Sequence, residues 1–242
     1  MIHPYKLLCA LLLCINPSAF AQTPQVTAFG EVGANYLGQQ GIIDGNGNYV
    51  MAGKKFQTND YPHIALFNQN MVYQWSFRLN KTSVTAMKLI ETRDKNYVAA
   101  FATGASSVLV KFDVLGNIIW YRDVSNVHSF EDMVEDAASD IYLVGNNGNK
   151  MLLSKLNVSG NILWTAAYTM NPVSDYLFGK SIVESYDGKL ILCGVASYLS
   201  STKAKIVTIK ADKVAGNIIW ASALSSTAGS MPTRKSPRCI WA

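Results

Sequence analysis

Three stretches decide the fold: Ser181-Ile-Val-Glu-Ser-Tyr-Asp-Gly-Lys-Leu-Ile-Leu-Cys-Gly194, Lys205-Ile-Val-Thr-Ile-Lys210 and Gly216-Asn-Ile-Ile-Trp220. They read as four short strands, a to d, separated by turn residues, with Asp187-Gly188 between a and b and Ala215-Gly216-Asn217 between c and d. Gly and Asn tolerate the positive φ that tight hairpin turns require.

Moving upstream, the same order recurs three times. The endings are Asn70-Met-Val-Tyr-Gln-Trp75, Gly116-Asn-Ile-Ile-Trp120 and Gly160-Asn-Ile-Leu-Trp164. Strand c precedes each as His63-Ile-Ala-Leu-Phe67, Val108-Leu-Val-Lys-Phe112 and Met151-Leu-Leu-Ser-Lys-Leu156. Strand b is Tyr49-Val-Met-Ala-Gly53, Tyr97-Val-Ala-Ala-Phe101 and Ile141-Tyr-Leu-Val-Gly145, and strand a ends on Ile-Ile-Asp44, Leu-Ile-Glu91 and Met-Val-Glu135. The tryptophans stand about 45 residues apart, with a longer last interval that residues around 170–176 and 197–203 account for. A single four-stranded meander cannot cover both its faces. Stacking one on the next does, and the tryptophan is a knob of the right size for that contact. The expectation is an all-β β-propeller of four-stranded antiparallel blades. Four repeats are visible, at about 41–80, 86–124, 131–168 and 180–224. The usual blade number, four to eight, makes them part of an incomplete ring, with a compact four-bladed ring or an open arc as alternatives.

The pattern from Ser181 to Trp220 resembles the propeller repeats of many secreted bacterial proteins, notably from Bacteroidetes-like organisms. It also resembles the tryptophan-docking repeats of quinoprotein-like propellers, in which a Gly-x-x-x-Trp ending closes each blade. The resemblance covers nearly all of Gly41 to Leu224. It implies the fold and not an activity, because such repeats serve unrelated jobs. The residues a quinone enzyme needs are not recognisable here, so no cofactor is expected.

Outside the repeats, Lys6, the apolar run Leu7–Ile15 and Ala19-Phe20-Ala21 read as a signal peptide over residues 1–21. Cys14 permits a lipoprotein reading, but the residues before it, Leu11-Leu12-Leu13, make a poor lipobox. No later run is long enough to be a transmembrane helix. The mature chain is therefore expected to be secreted, periplasmic or at the cell surface. Residues 22–40 contain a strand-like segment, Gln25–Val32, with Phe29 in the tryptophan place, and residues 225–242 match nothing in the repeat. Cys193 and Cys239 could pair, but Cys193 lies in an apolar run and is expected to be a buried free thiol. The formal charge is +5, without a basic stripe interleaved with aromatics, which argues against nucleic acid as a partner.

Three columns run through the repeats. Trp75, Trp120, Trp164 and Trp220 are expected to be structural packing. Lys111, Lys155 and Lys210 are expected on a solvated face, with structural salt links to neighbouring blades as the alternative. Glu91, Glu135 and Glu184, with Ile43 in the first blade, lie near the central channel. They are weak candidates for a cation, since calcium needs several converging oxygens, and the simpler expectation is a hydrogen bond to the adjacent turn. No metal site is assigned. Of the histidines in the mature chain, His63 opens a strand and His128 lies in a loop, neither with a partner at ligand spacing. No Gly-x-Ser-x-Gly elbow is present, and Asn80-Lys-Thr82 and Asn157-Val-Ser159 would be glycosylation sequons only in a eukaryotic host.

With no catalytic residues assigned, the loops that emerge with the b–c and d–a links are the remaining candidate surface. Asp60, Tyr61, His128, Phe130, Asp175 and Tyr176 lie there, and aromatics beside carboxylates suit contact with a protein or a glycan. The expected function is a non-enzymatic secreted scaffold that binds a protein or polysaccharide. The alternatives are part of an extracellular glycan lyase or hydrolase, or a structural module of a larger surface protein.

Overall fold

A computed structural model describes residues 35–56, 59–82, 85–104, 106–170, 176–198 and 201–225. The signal-peptide segment, Cys14, the strand-like Gln25–Val32, Asp175 and Cys239 lie outside the described residues. The described chain is all strand and turn. Its sixteen strands make four separate antiparallel sheets, each in sequence order. Blade 1 holds β1 (Asn35–Ile43), β2 (Tyr49–Phe56), β3 (Asp60–Phe67) and β4 (Tyr73–Arg78). Blade 2 holds β5 (Thr85–Glu91), β6 (Tyr97–Ala102), β7 (Ser106–Phe112) and β8 (Ile118–Ser125). Blade 3 holds β9 (Ser129–Glu135), β10 (Ile141–Asn146), β11 (Met151–Leu156) and β12 (Ile162–Tyr168). Blade 4 holds β13 (Tyr176–Glu184), β14 (Leu190–Tyr198), β15 (Ser201–Ala211) and β16 (Ile218–Ser225).

The innermost strands lie against one another in turn, β1 on β5, β5 on β9 and β9 on β13. Among the described residues no comparable packing returns from β13 to β1. The fold is a β-propeller whose four blades form an open arc. Each junction between blades has its own apolar core. Val50, Ile64 and Leu66 of blade 1 meet Tyr97, Phe101 and Phe112 of blade 2. Val98, Leu109 and Trp120 of blade 2 meet Phe130, Met133 and Leu143 of blade 3. Val144, Met151 and Leu153 of blade 3 meet Ile182, Leu192 and Ile209 of blade 4. Strand alternation makes this possible. In β6, Tyr97, Ala99 and Phe101 face blade 1, while Val98 and Ala100 face blade 3, and all five are at most 1% exposed. Burying a side chain of this size stabilises by about 1.5–3 kcal/mol.

The tryptophans set the spacing between blades. The Trp75 indole N–H donates to the Val114 carbonyl at 2.8 Å, and Trp120 donates to Val158 at 3.1 Å. Both acceptors sit in the c–d turn of the following blade. The fourth residue of that turn is Gly116 or Gly160, at φ 85° and 75°. A Cβ there would stand 3.0 Å from Trp75 or 2.7 Å from Trp120. Glycine is therefore required twice over, for left-handed backbone and for room beneath the indole. In blade 1 the same turn position is Met71, at φ 60°.

Two columns differ from the sequence expectation. Lys111 is not solvated; it is 3% exposed and pairs with Asp94 at 2.7 Å. Lys155 pairs with Asp140 at 2.8 Å and Lys210 with Asp187 at 2.6 Å. In a middle blade the polar side of this strand faces the next blade rather than water, so the lysine stem lies along its own sheet within the junction and its ammonium reaches the a–b turn of its own blade. Trp220 does not pack as its counterparts do. It is 44% exposed against 7% for Trp120. Cys193 is exposed, not buried, because β14 turns Leu192 and Gly194 inward and Cys193 outward.

Candidate functional site

The inner strands β1, β5, β9 and β13 form the concave wall of the arc. A bulge interrupts the pairing of each with strand b, between Gly38 and Gln40 in β1, Ala86 and Lys88 in β5, and Gly179 and Ser181 in β13. In β9 the shift falls opposite Val144 and Gly145, between Asp132 and Phe130. Bulges re-aim side chains. Just past them Lys88, Asp132 and Ser181 take equivalent places on neighbouring strands and join into one network. Asp132 accepts from the Lys88 ammonium at 2.7 Å, from the Ser181 hydroxyl at 2.9 Å and from the Ile182 amide at 3.0 Å. One residue closer to the loop face, Lys180 pairs with Glu131 at 3.0 Å. Glu131 also accepts from Ser129, which accepts in turn from the Asn146 side-chain amide.

The glutamate column lies at the other end of the wall and ties blades together. Glu91 accepts from the Gly45 amide at 2.8 Å, and Glu135 accepts from the Arg93 amide at 2.6 Å. Each reaches the a–b turn of the preceding blade, and Glu91 also accepts from Lys95 in the turn of its own blade at 3.2 Å. Glu184 differs. It pairs at 2.6 Å with Lys213, whose ammonium also reaches Asp136 of blade 3 at 3.1 Å. Burial raises the Glu135 carboxyl above its ordinary range, although the Arg93 amide opposes this. An open cleft of about 390 Å³ lies beside it, lined by Glu91, Arg93, Lys95 and Glu135 with Ile90 and Met133. Among the described residues no three His, Cys, Asp or Glu side chains converge as a metal site. The three glutamates are held one by one.

The loop-face residues are strung out along the arc. In blade 1, Asp60 pairs with Lys54 at 2.9 Å, and the Arg78 guanidinium lies 4.7 Å from the Tyr61 ring centre. His128 is exposed in the link between blades 2 and 3, beside the b–c turn glycine Gly148. Phe130 cannot meet a partner; it is 0% exposed in the core between those blades, because its side chain follows the apolar face of β9. Tyr176 is 38% exposed and stacks on Phe178, with centroids 5.6 Å apart and planes 7° apart. The Lys180 ammonium lies 5.8 Å from the Phe178 ring centre. Tyr176, Phe178, Lys180 and Glu131 thus form a contiguous group at the rim where blades 3 and 4 meet. Sequence reasoning missed Phe178, Lys180, Glu131 and the Asp132 network. A signal for the last exists, since Lys88, Asp132 and Ser181 each open the strand-a motif of their repeat.

No family model matches the chain, and no curated protein matches it. Among solved structures, the chain is similar to a protein of unknown function from Bacteroides caccae, with 8% identity and a TM-score of 0.47 over 70% of this chain and 57% of that one. It is similar to the virginiamycin B lyase of Staphylococcus aureus, with 11% identity and a TM-score of 0.49 over 79% of this chain and 73% of that one. It is also similar to an exo-beta-1,3-galactanase from Phanerochaete chrysosporium, with 16% identity and a TM-score of 0.42 over 78% of this chain and 49% of that one. The chain spans little more than half the length of the Bacteroides caccae protein. These likenesses concern the course of the chain and carry no substrate across.

Proposed function

We propose that the protein is an exported, non-enzymatic scaffold that binds a polysaccharide at the loop-face rim of blades 3 and 4. The observation that carries this reading is the exposed Tyr176–Phe178 stack beside Lys180 and Glu131. A sugar ring offers an apolar C–H face and a rim of hydroxyls. An aromatic platform flanked by a few fixed polar groups matches both. The carboxylates support a binding role. Every Asp and Glu among the described residues has a hydrogen bond or ion pair to the protein itself, such as Asp132 to Lys88 and Glu184 to Lys213. Calorimetric titration with a panel of neutral and acidic polysaccharides tests the proposal. Saturable binding is expected, weakened about tenfold by Tyr176→Ala, the size of a modest interface anchor. A folded protein that saturates with no member of the panel overturns it.

One observation favours an enzymatic reading. A carboxyl with a raised pKa in an open cleft is suited to general acid work, and Glu135 is such a group. Polysaccharide cleavage lost in Glu135→Gln, with binding retained, would support this second reading over the first.

A further inference from the structure

Exposed aliphatic side chains gather along one edge of the arc. This is the outer rim at the end opposite the loop face, where each c–d turn leads into strand d. Blade 2 presents Val114 and Leu115 on the turn and Ile118 and Ile119 on the strand. Blade 3 repeats the arrangement with Val158, Ile162 and Leu163, and blade 4 with Val214 and Ile219. Leu115 is 72% exposed and Val214 82%. A bulge leaves Ile119, Leu163 and Ile219 without a partner across the ladder. In blades 2 and 3 two successive side chains therefore stand outward, where strict alternation would turn one of them in. The rim runs across the junctions, because the Val158 carbonyl holds the indole of Trp120, next to Ile119. Blades 2 and 3 have a blade on each side and still expose it, so blade stacking does not cover this surface. Contiguous exposed apolar surface of this kind marks an interaction site.

The chemistry of the rim selects its partner. In blade 2 the Asp113 carboxylate accepts from the Leu115 and Asn117 amides at 2.9 and 2.8 Å, the Gly116 amide donates to the Asp113 carbonyl, and the Val114 carbonyl accepts from Trp75. In blade 4 one Asp212 oxygen accepts from the Val214, Ala215 and Gly216 amides. Backbone groups satisfied inside the turn tolerate a drier environment, and what these turns hold outward is Val and Leu. A protein partner fits less well. Protein interfaces concentrate aromatics, Met and Arg around pockets, and the bulges interrupt the strand d edge that an added strand would need. A bilayer surface asks for protruding apolar side chains, with an amphipathic aromatic at headgroup depth. Tyr186 stands fully exposed on the a–b turn of blade 4, at the same end.

We propose that the c–d rim of blades 2 to 4 docks the protein on a phospholipid surface, with Leu115, Val158 and Val214 entering the boundary between headgroups and acyl chains. The loop face, with the Tyr176–Phe178 stack, then points to the solution. Docking at the rim requires nothing of the saccharide site.

The test uses the full chain with its four cysteines replaced by serine. A single thiol is introduced as Leu115→Cys, Val158→Cys or Asn149→Cys, labelled with a polarity-sensitive fluorophore and titrated with phosphatidylcholine vesicles. Asn149 lies in the b–c turn of blade 3, at the loop face. Labels at 115 and 158 should shift saturably to apolar emission, and the label at 149 should not. With the label at 158, Leu115→Ser combined with Ile119→Ser should weaken partitioning about tenfold. No shift at 115 and 158 overturns the proposal, including the case in which the chain reaches vesicles through Leu7–Ile15 alone. A shift at all three positions overturns it as adsorption without orientation. A shift at 115 and 158 that appears without vesicles and grows with protein concentration overturns it by giving the rim to a second copy. Unchanged partitioning of the folded double variant overturns it as well.

Discussion

Trp120 lies so close over Gly160 of the following blade that a Cβ on Gly160 would stand 2.7 Å from its ring. This contact sets how near two blades come, and it joins a side chain on an outer strand to a backbone turn 40 residues further along. Its energetics can be separated by comparing two glycines with nearly the same backbone.

Gly160 and Gly104 have φ 75° and 85°, but nothing lies within 4 Å of a Cβ on Gly104. Gly104→Ala is expected to cost only the left-handed backbone penalty, about 1–2 kcal/mol. Gly160→Ala adds overpacking against the indole, about 1–3 kcal/mol more. Urea unfolding of the two variants checks this; equal losses would mean that the indole yields without cost.

Trp120→Ala and Trp220→Ala remove the same side chain from equivalent positions. The first empties a closed core and should cost about 3–5 kcal/mol. The second truncates a half-exposed residue and should cost about 1 kcal/mol or less. Thermal unfolding midpoints of the pair, in the isolated chain, measure the difference.

Asp94 offsets the charge of Lys111 in a place where the lysine is 3% exposed. Asp94→Asn leaves that ammonium without its counter-charge and should destabilise by about 2 kcal/mol, below the range for fully buried pairs because Asp94 itself is partly solvated. Lys111→Met, which removes the need for a partner, should be near neutral. The pair Lys210–Asp187, open to water in blade 4, should respond much less to the same changes. Denaturant midpoints of these variants order the three cases.

Acid should unfold the arc through its turn aspartates. Burial acts against ionisation of Asp94, but hydrogen bonds from Lys111, Thr92 and Asn96, together with the Lys111 charge, outweigh it and hold the carboxyl well below its usual range. Asp136 is lowered in the same way, against burial, by Lys213 and the Asp140 and Ala138 amides together. The Lys210 hydrogen bond holds Asp187 at about 2. A lowered folded pKa gives stability that is fully present above the unfolded value, about 4, and is lost as pH falls through the folded value. Glu135 has the opposite sign, since its raised pKa favours the protonated form in the folded state. Stability measured between pH 7 and pH 2 should therefore fall steeply below about pH 4. Asp94→Asn should flatten that fall, and Glu135→Gln should not.

The four-strand repeat was legible in the sequence because its punctuation is local: Gly-Asn turns, alternating strands and a tryptophan at a fixed place. The burial of Lys111 was not. Alternation separates two faces of a strand, but in a middle blade both faces are covered, so a polar column need not meet water. Trp220 and Cys193 fail for the complementary reason, since their exposure depends on what lies beyond blade 4 and their own repeat matches the others. The glutamates were read as turn acceptors, but Glu91 and Glu135 serve the turn of the neighbouring blade, 46 and 42 residues away, and such a pairing has no mark in a single repeat. At the rim, Tyr176 stood out as an aromatic in a link, while Phe178 and Lys180 carried no mark of their own until the β13 bulge and the facing Glu131 placed them.

Each sheet completes its hydrogen-bond ladder within one repeat, and blades meet only through side chains and turn contacts. A chain built this way has the thermodynamics of a short row of coupled units rather than of one indivisible core. Opening should begin at a blade covered on one side and travel inward. Amide hydrogens of β6 and β10, sheathed on both faces, should then exchange last, and those of β14 and β15 well before them. The protein would lose its structure as a stack does, from an end.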